Sequence, residues 1–172
     1  MKRSEIVTMP EFFDRYINLV EDIGIVEALE RYSSFEDMIG LDALKALEGK
    51  RYAPDKWTVK DILQHIIDNE RIQTYRALRF ARKDTTELSG YDEQLLGANA
   101  QGDIRNLDDL LAEFKTVRSA TIALYKSFTP ELMVQEGVAF RKISVLALGF
   151  VVVGHPIHHA NVINDRYLPL IV

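Results

Sequence analysis

The chain contains no cysteine among its 172 residues. That excludes a disulfide framework, a thiolate metal site and a protein thiol nucleophile, and it removes the commonest structural zinc ligand. Long apolar runs are missing too: the longest, VLALGFVVVG from Val145 to Gly154, has ten residues, against roughly 20 needed to span a bilayer. It predicts the centre of a buried helix and no membrane partner. There is no basic excess, since 21 Lys and Arg face 26 Asp and Glu, net −5, with the signs intermingled. Without an electrostatic footprint for a phosphate backbone, no nucleic-acid partner is expected. The opening MKRSEIVTMPEFFDRY has a basic start with no apolar core behind it, which predicts no secretory signal and a cytoplasmic location. Repeats, low-complexity tracts and Pro/Gly/Ser-rich linkers are absent. Residues 1–172 therefore read as a single domain, long enough to bury a core without staples.

What is present is a series of amphipathic segments with helix-start signals. In TMPEFFDRYINLV, Thr8 and Glu11 have capping-box spacing and predict a first short helix. A second helical stretch is expected from Asp22 to Leu47, weak at Ser33 and Ser34, ended by EGKRYAPDKW. Thr58 and Asp61 repeat the box before a helix of about 25 residues, with Val59, Ile62, Leu63, Ile66, Tyr75 and Leu78 in helical period. The loop KDTTELSGYDEQLLGANAQGDIR is longer than a connection needs and is a candidate cover for a site. Asn106 and Asp109 open a further helix whose Leu107, Leu110, Leu111, Phe114, Val117, Leu124 and Phe128 form one stripe, and Ser144 opens the last. Four long helices with little strand signal predict an all-α, antiparallel-type four-helix bundle with long crossover connections.

Three of the four histidines, His155, His158 and His159, fall in GHPIHHANVI. The fourth, His65, lies ninety residues upstream in DILQHIIDNER. Helical residues four apart differ by about 40° around the axis, with Cβ atoms about 5–6 Å apart, so His155 and His159 can share an ion at about 2.0–2.1 Å per bond. His158, three from His155 and about 60° to the other side, is the competing partner on geometry alone. HPIHH lacks the glutamate that zinc-protease helices use as general base, so a zincin is excluded. His65 can add a third nitrogen if its helix faces the last one; the plainer role is a hydrogen-bonded core histidine. His158 can face solvent, hydrogen-bond the other nitrogen of a ligating imidazole, or line a pocket. Asp68, one turn past His65, can orient an imidazole or make a surface ion pair. The run DNER reads as a solvated face.

These segments carry a resemblance. KWTVKDILQHIIDNERIQTYRALRFARKD, LSGYDE and GHPIHHANVINDRYL together resemble the DinB-like superfamily of metal-dependent enzymes, along nearly the whole chain. The resemblance implies a four-helix bundle, often a homodimer, holding a divalent metal through His65, His155 and His159. Zn²⁺ or Ni²⁺ is the ion expected first, with Fe or Mn as alternatives. Relatives of the superfamily include maleylpyruvate isomerases and transferases that use low-molecular-weight thiols such as bacillithiol and mycothiol. Pro156 departs from the pattern, standing where similar sequences often carry Glu. It removes the N–H that would bond the carbonyl of Val152, so a kink is expected near Gly154.

Two functions follow. One is a metal-dependent enzyme with an open coordination position, a thiol transferase or a hydrolase acting on a small molecule, with any thiol supplied as a cosubstrate. The other is a catalytically silent metal-binding or stress-linked module acting through its dimer surface. A solvent-connected pocket over the histidines would distinguish the first from the second. Catalytic residues beyond the ligands are not indicated by the sequence.

Overall fold

The computed structural model describes residues 1–171. After a 3-10 turn at Arg3–Glu5, the N-terminal segment holds two short α-helices, α1 (Asp14–Ile17) and α2 (Ile25–Arg31). Thr8 and Glu11 do not form the predicted box; α1 instead begins behind Phe13, after a left-handed residue at Phe12 (φ 77°). The helix expected from Asp22 to Leu47 is two pieces. α2 stops at Arg31 and α3 (Leu41–Leu47) starts behind Gly40, whose φ of 103° no other residue adopts easily. The weak Ser33–Ser34 region is thus a break, because Phe35 turns inward to full burial there.

The three long helices start where capping chemistry predicts. α4 (Val59–Ala81) has the full Thr58–Asp61 box. The next connection contains the short α5 (Glu93–Asn99), capped by Asp92. α6 (Leu107–Lys126) begins with the Asn106 side chain accepting from the amides of Asp108 and Asp109. After α7 (Pro130–Met133) comes a hairpin that the helical reading did not predict, β1 (Glu136–Ala139) against β2 (Arg141–Ser144), antiparallel with Ala139 opposite Arg141. Ser144 Oγ then accepts from Ala147 N and opens α8 (Val145–Val162).

Cross-links fix the directions. Gln64 meets Arg105, Glu70 meets Arg118 and Thr74 meets Thr121, so α4 and α6 run parallel, which requires the long crossover 82–106. Tyr125 Oη donates to the carbonyl of Val145 while Arg118 reaches Val152, so α8 runs antiparallel to α6. The core has two lobes. One surrounds the first half of α8, with Phe13, Ile17, Ile25, Leu29, Tyr125 and Phe150; the other joins α3 and the first halves of α4 and α6, with Phe35, Leu47, Ile62, Leu110 and Phe114. From Val145 to Leu170 the last helical stretch is long and apolar enough to cross a bilayer by composition, yet most of it is buried among α1, α2 and α4. Tyr75 and Leu78, which keep the helical period of α4, are 54% and 37% exposed.

Candidate metal centre

His65 lies two turns into α4, and His155 and His159 lie near the end of α8. Because the two helices are antiparallel neighbours, these positions meet. His155 Nε2 is 3.1 Å from His65 Nε2 and 3.1 Å from His159 Nε2, and one nitrogen from each ring falls within 4.8 Å of the others. His65 and His155 are buried and His159 is half-buried. Burial lowers the pKa of His65 to about 4. It holds His155 and His159 well below the ordinary histidine range, the neighbouring imidazoles adding to the effect. All three rings are therefore neutral at pH 7, the form that offers a lone pair to a cation.

Aromatic rings set the orientation of these imidazoles. Trp57, immediately before the α4 cap, packs on His65 with ring centroids 4.8 Å apart, and Tyr16 of α1 meets His155 edge-on at 5.2 Å. Tyr16 comes that close because residue 154 is glycine: a Cβ there would lie 2.0 Å from the Tyr16 carbonyl oxygen. After α8 the backbone widens to a π-helix, Ile163–Tyr167, which carries the Tyr167 hydroxyl to the carbonyl of Trp57 at 2.6 Å. π-Helical turns of this kind are frequent at functional sites. Trp57 sits in one of the segments that carry the family resemblance. Tyr167 sits in another of those segments, and Tyr16 had no sequence signal beyond being aromatic.

Pro156 is accommodated without breaking the helix, which is continuous from Val145 to Val162. The carbonyl it frees, that of Val152, accepts from Arg118 Nη2 at 3.2 Å. Arg118 is fully buried and forms a forked pair with Glu70 of α4, with both N–O distances 2.9 Å, while its Nη1 donates to the carbonyl of Tyr32. One guanidinium thus ties α2, α4 and α8 together beside the histidines. It also corrects the reading of DNER, in which Asn69 and Glu70 are buried and only Asp68 and Arg71 face outward.

The remaining candidates lie to the side. Asp68 accepts from Gln64 at 3.0 Å and lies 3.8 Å from Arg71, so its carboxylate is engaged on the α4 surface and not with an imidazole. His158 is half-buried, edge-on to Tyr16 and to His159, and its nitrogens are outside the three-nitrogen cluster.

The cluster's chemistry fits a divalent cation. A single Nε2 can donate or accept but not both, so His155 cannot satisfy both of its neighbours by hydrogen bonding. Three lone pairs converging on a cation remove that conflict. Two nitrogens each about 2.0–2.1 Å from one ion, at angles between octahedral and tetrahedral, stand about 2.8–3.4 Å apart, which brackets the 3.1 Å of the His65–His155 and His155–His159 pairs. A cavity of about 200 Å³ opens onto His159 between Trp57, Tyr52, Gln94 and Tyr167. Burial pushes the Tyr167 hydroxyl up to about 12, so it stays protonated on this wall.

Comparison with known proteins agrees with this architecture. No curated protein matches the chain. Among solved structures, YfiT from Bacillus subtilis, described as a probable metal-dependent hydrolase with an unusual four-helix bundle topology, superposes with a TM-score of 0.68. It is 16% identical, and the match covers 96% of this chain and 91% of YfiT. The family model of the DinB superfamily matches residues 41–163, which contain all three clustered histidines, and the chain belongs to that superfamily.

Proposed function

We propose that this protein is a metal-dependent enzyme that activates a small thiol for attack on an electrophilic substrate, with His65, His155 and His159 holding Zn²⁺ or Ni²⁺. The observation that carries the proposal is the cavity reaching His159 from outside, because a purely structural or silent site would be closed. When bound, a divalent cation supplies positive charge that lowers the pKa of a thiol or water presented to it. The protein's share is to supply three neutral nitrogens, to hold them with Trp57 and Tyr16, and to wall the approach with Trp57, Tyr52 and Tyr167. With no cysteine in the chain, the thiol must arrive as a cosubstrate.

Hydrolysis is the second reading, favoured by the description of YfiT. Turnover of an electrophile panel with metal, with metal plus thiol, and with chelator separates the two. Turnover that needs both metal and thiol supports transfer; turnover with metal alone, indifferent to thiol, supports hydrolysis; none under any condition supports the silent module. The proposal extends to a cytoplasmic homodimer acting on a small molecule, without nucleic-acid or membrane partners. Support for the dimer comes from the exposed apolar groove of Tyr75, Leu78, Val117 and Leu124 between α4 and α6.

A further inference from the structure

A second cavity, of about 300 Å³, lies next to the first and shares Gln94 with it. Arg76 lines it and is only 4% exposed. Its Nη1 donates to Gln73 Oε1 at 3.3 Å and its Nη2 to the Ser89 carbonyl at 2.9 Å, both neutral acceptors. Its Nε makes no bond within the protein and is not sealed off. Among the described residues no carboxylate lies within 4.0 Å of this guanidinium, whereas the other buried arginine, Arg118, is forked to Glu70. Buried charges in proteins are as a rule paired, because an isolated one is strongly unfavourable. The acids of the cavity do not fill this need. Asp92 is engaged in capping α5, and Glu93 stands half-buried on the rim.

A separate observation marks the cavity mouth. Phe12 and Phe140 both adopt left-handed backbone, φ 77° and 67°, and their rings meet edge-on at 5.6 Å while remaining 40% and 58% exposed. Bulky residues rarely sit there, so the local turns that hold them fix both rings in place. Phe140 takes this conformation at the apex of the β1–β2 turn and Phe12 takes it just ahead of α1; Arg141 and Arg15 lie over one face of each ring, and the pair of rings stands at the cavity mouth.

The cavity is also in line with the histidines. Arg76 follows His65 by eleven residues on α4, which puts it about 20° around the helix axis and about 16 Å along it, with its long side chain leaning back toward His65. Between them Asn69 donates to the hydroxyl of Tyr91, a wall of the cavity. We infer that the cavity binds the carboxylate of an elongated aryl or alkyl acid, Arg76 forking the carboxylate and Phe12, Phe140 and Tyr91 holding the apolar body. The inference rests on the reading of the histidine centre as the reactive end, on the order of 10–15 Å away. Arg76 is the arginine in the lining and stands with two carboxylates there, Asp92 and Glu93, while Arg15 and Arg141 are stacked on the Phe12 and Phe140 rings; that balance favours a singly charged carboxylate over a phosphate.

The test is calorimetric titration of the purified full chain, with and without added Zn²⁺, using 3-phenylpropionate, its uncharged amide and inorganic phosphate. The acid is expected to bind at least about tenfold more tightly than the amide, and Arg76→Gln to remove that preference. Phe140→Glu, an exposed substitution that sets a second carboxylate at the mouth, is expected to weaken acid binding while leaving the fold intact. If Arg76→Gln does not fold, the acid-to-amide ratio and Phe140→Glu decide. Equal binding of acid and amide, unchanged acid binding in both variants, or phosphate binding as tightly as the acid would each overturn the inference. So would acid binding that survives Arg76→Gln but vanishes in His159→Ala, which would put the carboxylate on the histidine centre. Metal content, measured on the same samples, reports separately on the histidine reading.

Discussion

At the scale of single residues, the adjacent His158 and His159 are separated by what surrounds them. His159 turns its Nε2 toward His155 at 3.1 Å, whereas His158 lies edge-on to Tyr16, outside the cluster. His159→Ala is therefore expected to lower Zn²⁺ affinity by at least about a hundredfold, the loss of one of three ligands, and His158→Ala by less than about tenfold. Isothermal titration of the two variants decides it, and the reverse order would mean that the last turn of α8 presents the other ring. The same histidines govern acid stability. Their folded-state pKa values lie below the ordinary 6.5, with His65 near 4, so between these limits the unfolded chain binds more protons than the folded one. Stability of the chelator-treated protein is thus full above pH 6.5 and falls as pH drops toward 4, by about 1.4 kcal/mol per pH unit for each histidine involved. Thermal melts between pH 8 and 4.5 test this above the carboxylate range; a flat profile there would show that the rings titrate normally.

At the scale of elements, the proline in α8 and the arginine in α6 form one device. Removing the guanidinium strands both the Glu70 carboxylate and the Val152 carbonyl, so Arg118→Met is expected to cost about 3–5 kcal/mol. Pro156→Ala restores an N–H able to bond Val152. It is expected to recover about 1 kcal/mol in the Arg118→Met background and less in the wild type. Denaturant titration of the four proteins gives the coupling directly, and additive effects would show that the arginine does not serve the freed carbonyl. Sequence periodicity could announce α8 and the missing N–H of Pro156, but not the donor that replaces it, because that donor is 38 residues away on another helix.

At the scale of the whole molecule, the bundle leaves an apolar face uncovered between α4 and α6. Tyr75 and Leu78 follow the helical period of α4 yet point outward beside Val117 and Leu124 of α6. If that groove joins two copies, Leu78→Asp is expected to shift a dimer to a monomer in analytical ultracentrifugation while leaving the circular dichroism unchanged; an unaltered mass would move the interface elsewhere. Periodicity marks a residue as facing something apolar and is silent on whether that is the chain's own core or another chain.

What the sequence determined by itself is local. Thr58, Asn106 and Ser144 set the starts of the long helices because capping is a contact within three residues. The spacing of His155 and His159 followed from helical geometry, and the family pattern added His65. Tertiary structure decided everything that depends on distant partners. It broke the 22–47 stretch where Phe35 is drawn into the core, and it formed a hairpin of short strands whose stability is in pairing. It buried Glu70 against Arg118, and it left Arg76 buried without a counter-charge beside Phe12 and Phe140. The physical reason is that a charge's surroundings are set by chain segments that meet only after folding, whereas a helix cap is complete within a single turn.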